Sequence, residues 1–473
     1  MTLKQAIEKH NGLNFIVNEL NIYSSIGRKA LLETKFSKDK SILISKYDIT
    51  EGCQKYISEE ANKKTLSKVR GILAYLHDIN GTIKQLELKQ ILDDISLFEI
   101  KQFSISISKI KSYLFDLNSY FNDIVSSSLL LPDLTKSISI LDPENLQLSQ
   151  FYIYNSYSKE LAQKRKDWEE AKKEKNEEQI HSLYLQCQEM EDKIRERLSN
   201  ELREYTEELK EAIRIVGLID IFFAMAEYFS NNNFTKPIFS NDNTFSYSQL
   251  SYPPLVKKLK EDNKEYQPID ITLSQMPCLV TGANMAGKTI LLKSLSLSQY
   301  LVQFGFFVPA KSANVILVED ILTSIGDHQN DEEGLSSYAS EILLLNDIIK
   351  KVKQDKQYLV LVDELARTTN PTEGVALVNS FLSILSKHSS YSITTTHYSG
   401  IKTKCYRLRV KGFIHNKDQK ELSLKDISNQ IDYSLVKDKE EKIPNEALNL
   451  ASLLGVDEEF ISEARLFIHS LNN

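Results

Sequence analysis

One nine-residue segment constrains the fold of this chain more than any other. Residues 281–289 read Thr-Gly-Ala-Asn-Met-Ala-Gly-Lys-Thr, a Gly-x4-Gly-Lys-Thr pattern between an apolar run at 278–280 and residues 290–295, which can open a helix. A strand, a glycine-rich turn and a helix N-terminus direct backbone N–H groups at one point, where phosphate binds. The segment therefore predicts a nucleoside triphosphate site formed by Gly282, Asn284, Gly287, Lys288 and Thr289.

A second element completes this predicted site. Residues 358–362 read Tyr-Leu-Val-Leu-Val and are followed at once by Asp363 and Glu364, as when a buried parallel strand brings carboxylates to the C-terminal edge of a sheet. We expect Asp363 to hold Mg²⁺ together with Thr289, and Glu364 to polarise the attacking water. A third strand-like run, 392–396, ends in His397, a hydrogen-bond partner suited to the γ-phosphate. Lys288, Glu364 and His397 are thus the predicted catalytic residues of a hydrolase.

These motifs carry a family resemblance. Together with Asp-Glu-Leu-Ala-Arg-Thr-Thr-Asn-Pro-Thr-Glu-Gly at 363–374 and Thr-His-Tyr at 396–398, they resemble the ATPase domain of the MutS mismatch-repair family, over roughly residues 215–470. The resemblance implies an α/β P-loop NTPase of the ABC type, a mostly parallel sheet flanked by helices, with ATP and Mg²⁺ as cofactors. It also implies a dimer, formed with a second copy or a related MutS-like subunit, in which Ser336 of the segment 334–338 reaches the nucleotide of the other subunit.

The chain departs from the family pattern in the loop after the two acids. Ala366 and Thr368 stand where glycines are usual, and Glu373 stands where Asp is usual. These changes bear on loop geometry and on communication across the dimer, and not on nucleotide binding.

The front half predicts an all-α region. We divide the chain into a helical core at 1–150, long lever helices at 151–235, and the ATPase domain with its C-terminal helices at 236–473. Residues 37–49 could include a short strand. Residues 157–226 contain no Pro, one Gly and many Lys and Glu, which predicts a long helix or an antiparallel helix pair, polar on most faces. In the resembled family, such helices act as levers that transmit changes of the ATP state to a distant region that binds the macromolecular partner.

Composition places the protein in a reducing compartment. Its four cysteines lack metal-ligand spacing, and the start of the chain has no signal-peptide core. The longest apolar run, 215–226, is short and contains Asp220, so we expect no transmembrane helix and no membrane partner. We therefore expect a cytoplasmic protein.

The macromolecular target is less constrained. Mismatch readers of the family carry an N-terminal domain with a Phe-x-Glu motif; Phe-Glu-Ile at 98–100 has the wrong order, and we expect this chain to lack that domain. Residues 158–214 carry 13 Lys and Arg against 16 Asp and Glu, and the whole chain has a net charge of −7. Because DNA affinity depends on neutralising phosphates, this balance disfavours tight DNA binding.

A narrower resemblance concerns four segments: Leu-Asp-Pro at 141–143, Phe-Tyr-Ile-Tyr-Asn at 151–155, the glycine-rich segment 281–289, and Gly-Leu-Ser-Ser at 334–337. They are similar to segments of MutS-related proteins associated with lysine 5,6-aminomutase, proposed reactivases of that cobalamin- and pyridoxal-phosphate-dependent enzyme. Two functions therefore stay open: ATP-driven remodelling of an enzyme such as an aminomutase, or a DNA-binding clamp on mismatched or branched DNA in repair or recombination. A third, an ATP switch with negligible turnover, is disfavoured by the intact Asp363-Glu364 pair.

Overall fold

The protein is seen in a computed structural model that describes residues 1–122, 124–125, 127–146, 148, 150–282, 287–326, 337–367, 369–413, 431–438, 448, 451–452 and 455–471. The described residues before 238 are built from helices. These are α1 (Leu3–Lys9), α2 (Asn11–Glu19), α3 (Ser25–Leu32), α4 (Lys40–Ser58), α5 (Glu60–Ala74), α6 (Asn80–Glu87), α7 (Asp94–Tyr113), α8 (Thr135–Leu141), α9 (Lys159–Glu174), α10 (Glu177–Arg203) and α11 (Thr206–Asn231).

Short polar side chains start many of these helices. The side chain that precedes the helix accepts a hydrogen bond from a backbone N–H of the first turn, one of the donors that a helix leaves without an internal partner. Such caps are made by Thr2, His10, Ser24, Asp39, Asp93, Ser158 and Asn176. The helix starts are thus encoded locally in the sequence.

The prediction of a short strand within residues 37–49 is wrong. Asp39 accepts from the N–H groups of Ser41 and Ile42, and α4 runs from there to Ser58. Leu43 and Tyr47, four residues apart, both face the core. The cap and this helical spacing outweigh the strand preference of the β-branched residues in the segment.

Helices α9 and α10 form the polar antiparallel pair expected in the region 157–226. The chain reverses at Lys175, which adopts a left-handed conformation with φ of 59°. Helix α11, in contrast, is not polar on most faces: nearly every residue from Ile215 to Met225 is buried. It packs against α3 and α4 and forms the centre of the helical region.

Asp220 of α11 is a buried carboxylate with three hydrogen-bond donors. It accepts from Tyr23 N–H at 3.1 Å, from Ser24 N–H at 2.7 Å and from the Ser24 hydroxyl at 2.6 Å. Burial raises the pKa of this carboxyl, and the hydrogen bonds oppose that shift. Asp220 therefore ties the start of α3 to α11.

No described helix is both long and apolar enough to cross a membrane.

The rest of the described chain alternates strands and helices. The strands are β1 (Ile238–Phe239), β2 (Phe245–Leu250), β3 (Ile269–Leu273), β4 (Cys278–Thr281), β5 (Ser312–Val315), β6 (Ile321–Ser324), β7 (Leu359–Val362), β8 (Tyr391–Thr395), β9 (Tyr406–Phe413) and β10 (Ile431–Lys437). The helices are α12 (Pro253–Glu261), α13 (Lys288–Phe304), α14 (Ser337–Val352), α15 (Pro371–Leu385) and α16 (Glu458–Leu471).

Ten strands form two sheets among the described residues. The larger has the order β10-β9-β4-β8-β7-β6, in which all neighbours are parallel except β9 and β10. The smaller has the order β1-β5-β2-β3 and is mainly antiparallel. Mixed α/β sheets with many helices agree with the expected class.

Both faces of the larger sheet are buried, as its apolar strands require. Leu359 and Leu361 of β7 face the same core as α13, α11 and α4, whereas Val360 and Val362 face a second core with α14 and α15. The first core runs without a break from Leu3 to Val410, so the helical region and the larger sheet share one interior.

Candidate nucleotide site

The glycine-rich segment lies between a strand and a helix, as predicted. β4 ends at Thr281, and α13 begins at Lys288 directly after Gly287. Gly287 has φ of +78°, a conformation that glycine adopts without steric cost. Residues 283–286, which include Asn284, lie outside the described residues, and so does Ser336 of the segment 334–338.

Lys288 is buried at the base of this loop. Its Nζ donates to the carbonyl oxygen of Gly282 at 2.7 Å and lies 3.2 Å from Oε1 of Glu364. Its side chain is only 4% exposed and that of Glu364 is 16% exposed, so the ion pair is largely shielded from water. Two motifs distant in sequence therefore meet within one ion pair.

Asp363 joins the same two motifs through a second contact. The hydroxyl of Thr289, in the first turn of α13, donates to Oδ2 of Asp363 at 2.5 Å. The hydroxyl of Thr395, the last residue of β8, donates to Oδ1 at 2.7 Å. Thr395 was not singled out from the sequence, where it is one of three consecutive threonines with nothing to distinguish it.

The loop after Asp363 contains two left-handed residues that are not glycine. Glu364 has φ of 46° and Ala366 has φ of 62°, a conformation that costs about 1 kcal/mol or more for residues with a Cβ. Ala366 N–H donates to Glu341 Oε1 at 2.7 Å, and the Tyr398 hydroxyl donates to the Ala366 carbonyl at 2.7 Å. Ala366 thus takes the conformation for which glycine is usual, and both its backbone groups are hydrogen-bonded.

The other predicted residues at this edge are less closely joined. His397 follows β8, packs on the Tyr398 ring at 4.3 Å between centroids, and has a buried Nδ1 without a hydrogen-bond partner among the described residues. Glu373 accepts from the Thr369 hydroxyl at 3.2 Å in an exposed position. Thr368 lies outside the described residues. The described contacts thus join Lys288 and Thr289 to the two acids, and His397 lies at the same strand ends.

A pocket of about 840 Å³ opens beside Gly287. Tyr266, Gln267, Ile290 and Tyr433 are among its lining residues. A Cβ at Gly287 would lie 3.0 Å from the Tyr433 ring, so glycine allows the ring to approach the loop. Burial raises the pKa of both tyrosines, which keeps them neutral. The sequence carried no signal for this pocket, since its walls come from three separate segments.

The donor atoms at Thr289 and Asp363 suit magnesium. A hydroxyl and a carboxylate are hard oxygen ligands, and Mg²⁺ in nucleotide sites takes one or two protein oxygens and completes its shell with phosphate and water. No cluster of three or more His, Cys, Asp or Glu that could hold a metal occurs in the described part of the chain. The Thr289 hydroxyl and the Asp363 carboxylate therefore fit Mg²⁺ as oxygen ligands.

Comparison with known proteins places this geometry in a family. The family model of MutS domain V matches residues 278–472. The chain is similar to proteins named Endonuclease MutS2: 38% identical over 216 residues to that of Ligilactobacillus salivarius, which is 44% of this chain and 26% of the relative. The corresponding protein of Clostridium tetani is 34% identical over 227 residues, 47% of this chain and 28% of the relative.

A match to Endonuclease MutS2 of Pediococcus pentosaceus is longer, at 32% identity over 280 residues, 58% of this chain and 33% of that protein. The aligned parts thus span about a quarter to a third of these relatives. The residues matched by the family model, 278–472, include the described motifs and site residues from Gly282 to His397. The part of this chain that holds the nucleotide site, residues 278–472, is thus a domain of the MutS family.

Proposed function

We propose that this protein is a Mg²⁺-dependent ATP hydrolase that converts ATP and water to ADP and phosphate. The observation that carries the proposal is the double contact between the two motifs: Lys288 with Glu364, and Thr289 with Asp363. Phosphoryl transfer is catalysed almost wholly by positioning and charge stabilisation, and these side chains bring one ammonium, two carboxylates and one hydroxyl to one point. The match of residues 278–472 to a domain of a family of ATPases supports the same proposal.

Each side chain has a proposed task. Lys288 and the loop N–H groups, with Gly282, Asn284 and Gly287, hold the β- and γ-phosphates. Thr289 and Asp363 hold Mg²⁺, which when bound neutralises charge on the phosphate oxygens. Glu364 orients the attacking water for in-line attack, and His397, with its unpartnered Nδ1, contacts the γ-phosphate region. The pocket lined by Tyr266 and Tyr433 receives the nucleobase, because flat neutral rings suit stacking.

We propose that the active unit is a dimer. Ser336 of a second copy, or of a related subunit, completes the site, as the family resemblance implies. In this arrangement the ATPase domain at 236–473 has the ABC type of fold, the helices of 1–150 form a core, and those of 151–235 act as levers on a macromolecular partner. The continuous interior between α4, α11 and α13 supports mechanical coupling between these parts.

Two partners are proposed, each favoured by a different observation. The pairing of charges within the α9–α10 hairpin favours a protein such as a cobalamin- and pyridoxal-phosphate-dependent aminomutase, which the levers would remodel or reactivate. Arg165 pairs with Glu191 and Lys193 with Glu189, so acidic groups stand beside these cations where a phosphate would approach. The name Endonuclease MutS2 favours the alternative, a clamp on mismatched or branched DNA.

Phosphate release by the purified chain tests the hydrolase. We expect turnover with ATP and Mg²⁺, its loss on chelation, and its loss in Lys288→Ala with ATP affinity at least roughly a hundredfold weaker. Lys293→Ala, on the same helix but outside the site, is the matched control and should keep wild-type affinity. Unchanged affinity in Lys288→Ala would remove the assignment of the phosphate-binding loop.

The same assay, repeated with duplex DNA, branched DNA and an inactivated aminomutase, tests the partner. Stimulation by the enzyme but not by either DNA supports remodelling. If DNA stimulates ATP turnover, or if the protein binds DNA in a salt-sensitive way, the clamp is supported and remodelling is contradicted.

A further inference from the structure

The hydroxyl of Thr395 bridges the two acids of the site. Thr395 ends β8, a fully buried strand in the centre of the larger sheet. Its Oγ1 donates its hydrogen to Asp363 Oδ1 at 2.7 Å and accepts the backbone N–H of Glu364 at 2.8 Å. A hydroxyl has one hydrogen and two lone pairs, so both bonds form at once. One side chain therefore fixes the carboxylate of Asp363 and the backbone of Glu364.

The bond to Glu364 acts on a strained residue. Glu364 has φ of 46° although it carries a Cβ, and such conformations persist where surrounding contacts hold them. Its backbone N–H faces Thr395, and its side chain faces Lys288 at 3.2 Å. Without the acceptor at Thr395, the N–H would lose its partner beside a buried strand end, and the backbone could relax. The Glu364 carboxylate would then move relative to Lys288.

The bond to Asp363 orients its carboxylate plane. Thr395 occupies Oδ1 and Thr289 contacts Oδ2, so the carboxylate is held from both sides. The oxygen atoms that suit Mg²⁺ are Oδ2 of Asp363 and the hydroxyl oxygen of Thr289, which lie on the side of the carboxylate away from Thr395. A hydrogen bond to the far oxygen of a metal ligand commonly sets its direction, and removal of such a partner weakens metal binding or activity by roughly 10- to 100-fold.

We propose that Thr395 is a positioning residue that sets both acids of the hydrolytic site: it aligns Asp363 toward Thr289 and holds Glu364 in its left-handed conformation. The inference rests on the proposed hydrolase function. In this proposal Thr395 contacts neither the phosphates nor the attacking water, and it acts only through Asp363 and Glu364.

Thr395→Val tests the hydroxyl, because valine keeps the shape and removes both bonds. We expect kcat for ATP to fall roughly 10- to 100-fold, with KM changed by less than about threefold. Thr395→Ser should restore most of the turnover. The matched control is Thr394→Val: Thr394 is also fully buried on β8, but its hydroxyl has no partner among the described residues. That variant should behave as wild type.

A binding measurement separates this inference from the proposed function. Binding of a fluorescent ATP analogue is measured as Mg²⁺ is added. The Mg²⁺ concentration that gives half-maximal binding should be roughly tenfold higher in Thr395→Val than in wild type. If wild type hydrolyses ATP and Thr395→Val matches it in both readouts, the inference fails and the hydrolase stands. If wild type does not hydrolyse ATP, the hydrolase fails and the Mg²⁺ titration alone decides the role of Thr395.

Folding controls complete the test. Circular dichroism and melting temperature are compared for every variant, and Thr395→Ala serves as a second variant without a hydroxyl. If Thr395→Val and Thr395→Ala both unfold while Thr394→Val folds, the hydroxyl acts on the fold rather than on the site and the inference is overturned. An equal loss of kcat in Thr394→Val would likewise overturn it, since packing alone would then explain the effect.

Discussion

At the scale of single residues, charge and backbone conformation are joined at Glu364. Its Oε1 lies 3.2 Å from Lys288 Nζ, and Arg367 lies 4.0 Å from its other oxygen, so two cations face this carboxylate. Its left-handed backbone fixes the direction in which the side chain leaves the strand end. Contacts within the chain therefore hold this carboxylate in a defined position.

Glu364→Gln is expected to abolish turnover and keep nucleotide binding. Glutamine has the same shape but cannot take up a proton or polarise water as a carboxylate does, so kcat should fall roughly 100- to 10,000-fold. ATP affinity should stay within a few-fold of wild type, and light scattering with ATP and Mg²⁺ should show a trapped dimer. Full turnover by this variant would exclude Glu364 from its role.

The main residues of the site were predictable because each belongs to a short motif next to an apolar run. Lys288 and Thr289 begin α13 after the glycine-rich loop, and Asp363 and Glu364 directly follow β7. Thr395 was not predictable, since its role comes from the parallel pairing of β7 with β8 and from nothing in its own neighbours. Tyr266 and Tyr433 were missed for the same reason: the pocket forms only when distant segments pack.

At the scale of elements, the start of α2 depends on a histidine. His10 Nδ1 accepts the Leu13 N–H at 3.1 Å, and its ring packs edge-on against Tyr300 of α13 at 5.4 Å. Burial is the main reason that the pKa of His10 is lowered to about 4, and Lys293 lowers it further. Protonation would also remove the acceptor that caps α2. The neutral form is thus the one compatible with the fold.

Stability should therefore fall as the pH drops from about 6.5 to about 4, because in this window the unfolded chain binds a proton at His10 and the folded chain does not. The contribution is on the order of 2 kcal/mol and is complete above the unfolded pKa. Urea unfolding at about pH 7 and pH 4.5 measures it in wild type and in His10→Asn, which keeps a cap. The difference in unfolding free energy between the two pH values should be smaller in His10→Asn than in wild type. Equal differences would contradict the assignment to His10.

The C-terminal half of α13 is held by a buried amide. Gln303 donates to the carbonyls of Ser37 at 3.1 Å and Val318 at 2.9 Å, and it accepts from Gln299 at 2.7 Å and from the Val318 N–H at 3.2 Å. One side chain thus joins α13 to the segments before α4 and before β6. Replacement by an apolar residue would remove these partners from the Ser37 carbonyl and from the buried N–H and carbonyl of Val318, whereas Gln299 would keep its bond to the Ile316 carbonyl.

Gln303→Leu should lower the free energy of unfolding by about 2–4 kcal/mol for this reason. Ser298→Ala is the matched control on the same helix: the Ser298 hydroxyl is buried and has no partner among the described residues, so its loss should change stability by less than about 0.5 kcal/mol. Denaturant unfolding of the two variants checks this. Similar losses in both would mean that packing, and not the amide network, sets the stability of α13.

The sequence predicted a helical front half, but not which of its helices form the interior. The strand expected in 37–49 is helix α4, because a cap at Asp39 decided the local structure. The polar character expected throughout 157–226 holds for α9 and α10 but fails for the part of α11 from Ile215 to Met225, where nearly every side chain is buried. Burial of this kind depends on neighbours and is not readable from charge content.

At the scale of the whole molecule, order should decrease outward from α11. Residues Ile215 to Met225 lie in the continuous core, whereas the outer part of the α9–α10 hairpin buries few side chains, among them Ala171 and Leu183. Local opening needs little free energy where few apolar contacts are lost. The hairpin tip should therefore open without the rest of the chain.

Hydrogen exchange measured by mass spectrometry should show this gradient. We expect backbone amides near residues 168–184 to exchange at least roughly a hundredfold faster than those near 215–225, even though both segments are helical. Equal protection would mean that the hairpin is held by contacts beyond those described. Measuring the same peptides with ATP and Mg²⁺ would show whether a nucleotide at one end of the molecule is sensed at the other.

The contact between α4 and α13 has a consequence for how the protein is made. The Tyr47 hydroxyl donates to the Val302 carbonyl at 2.7 Å, across 255 positions of the chain. At about 5–20 residues per second, a ribosome needs roughly 13–50 s to deliver that partner after Tyr47 has been joined. During this interval the side of α4 that will meet α13 has nothing to cover it. The front half of a nascent chain must therefore wait for the nucleotide-binding half, and chaperones that shield apolar helices should matter most in that window.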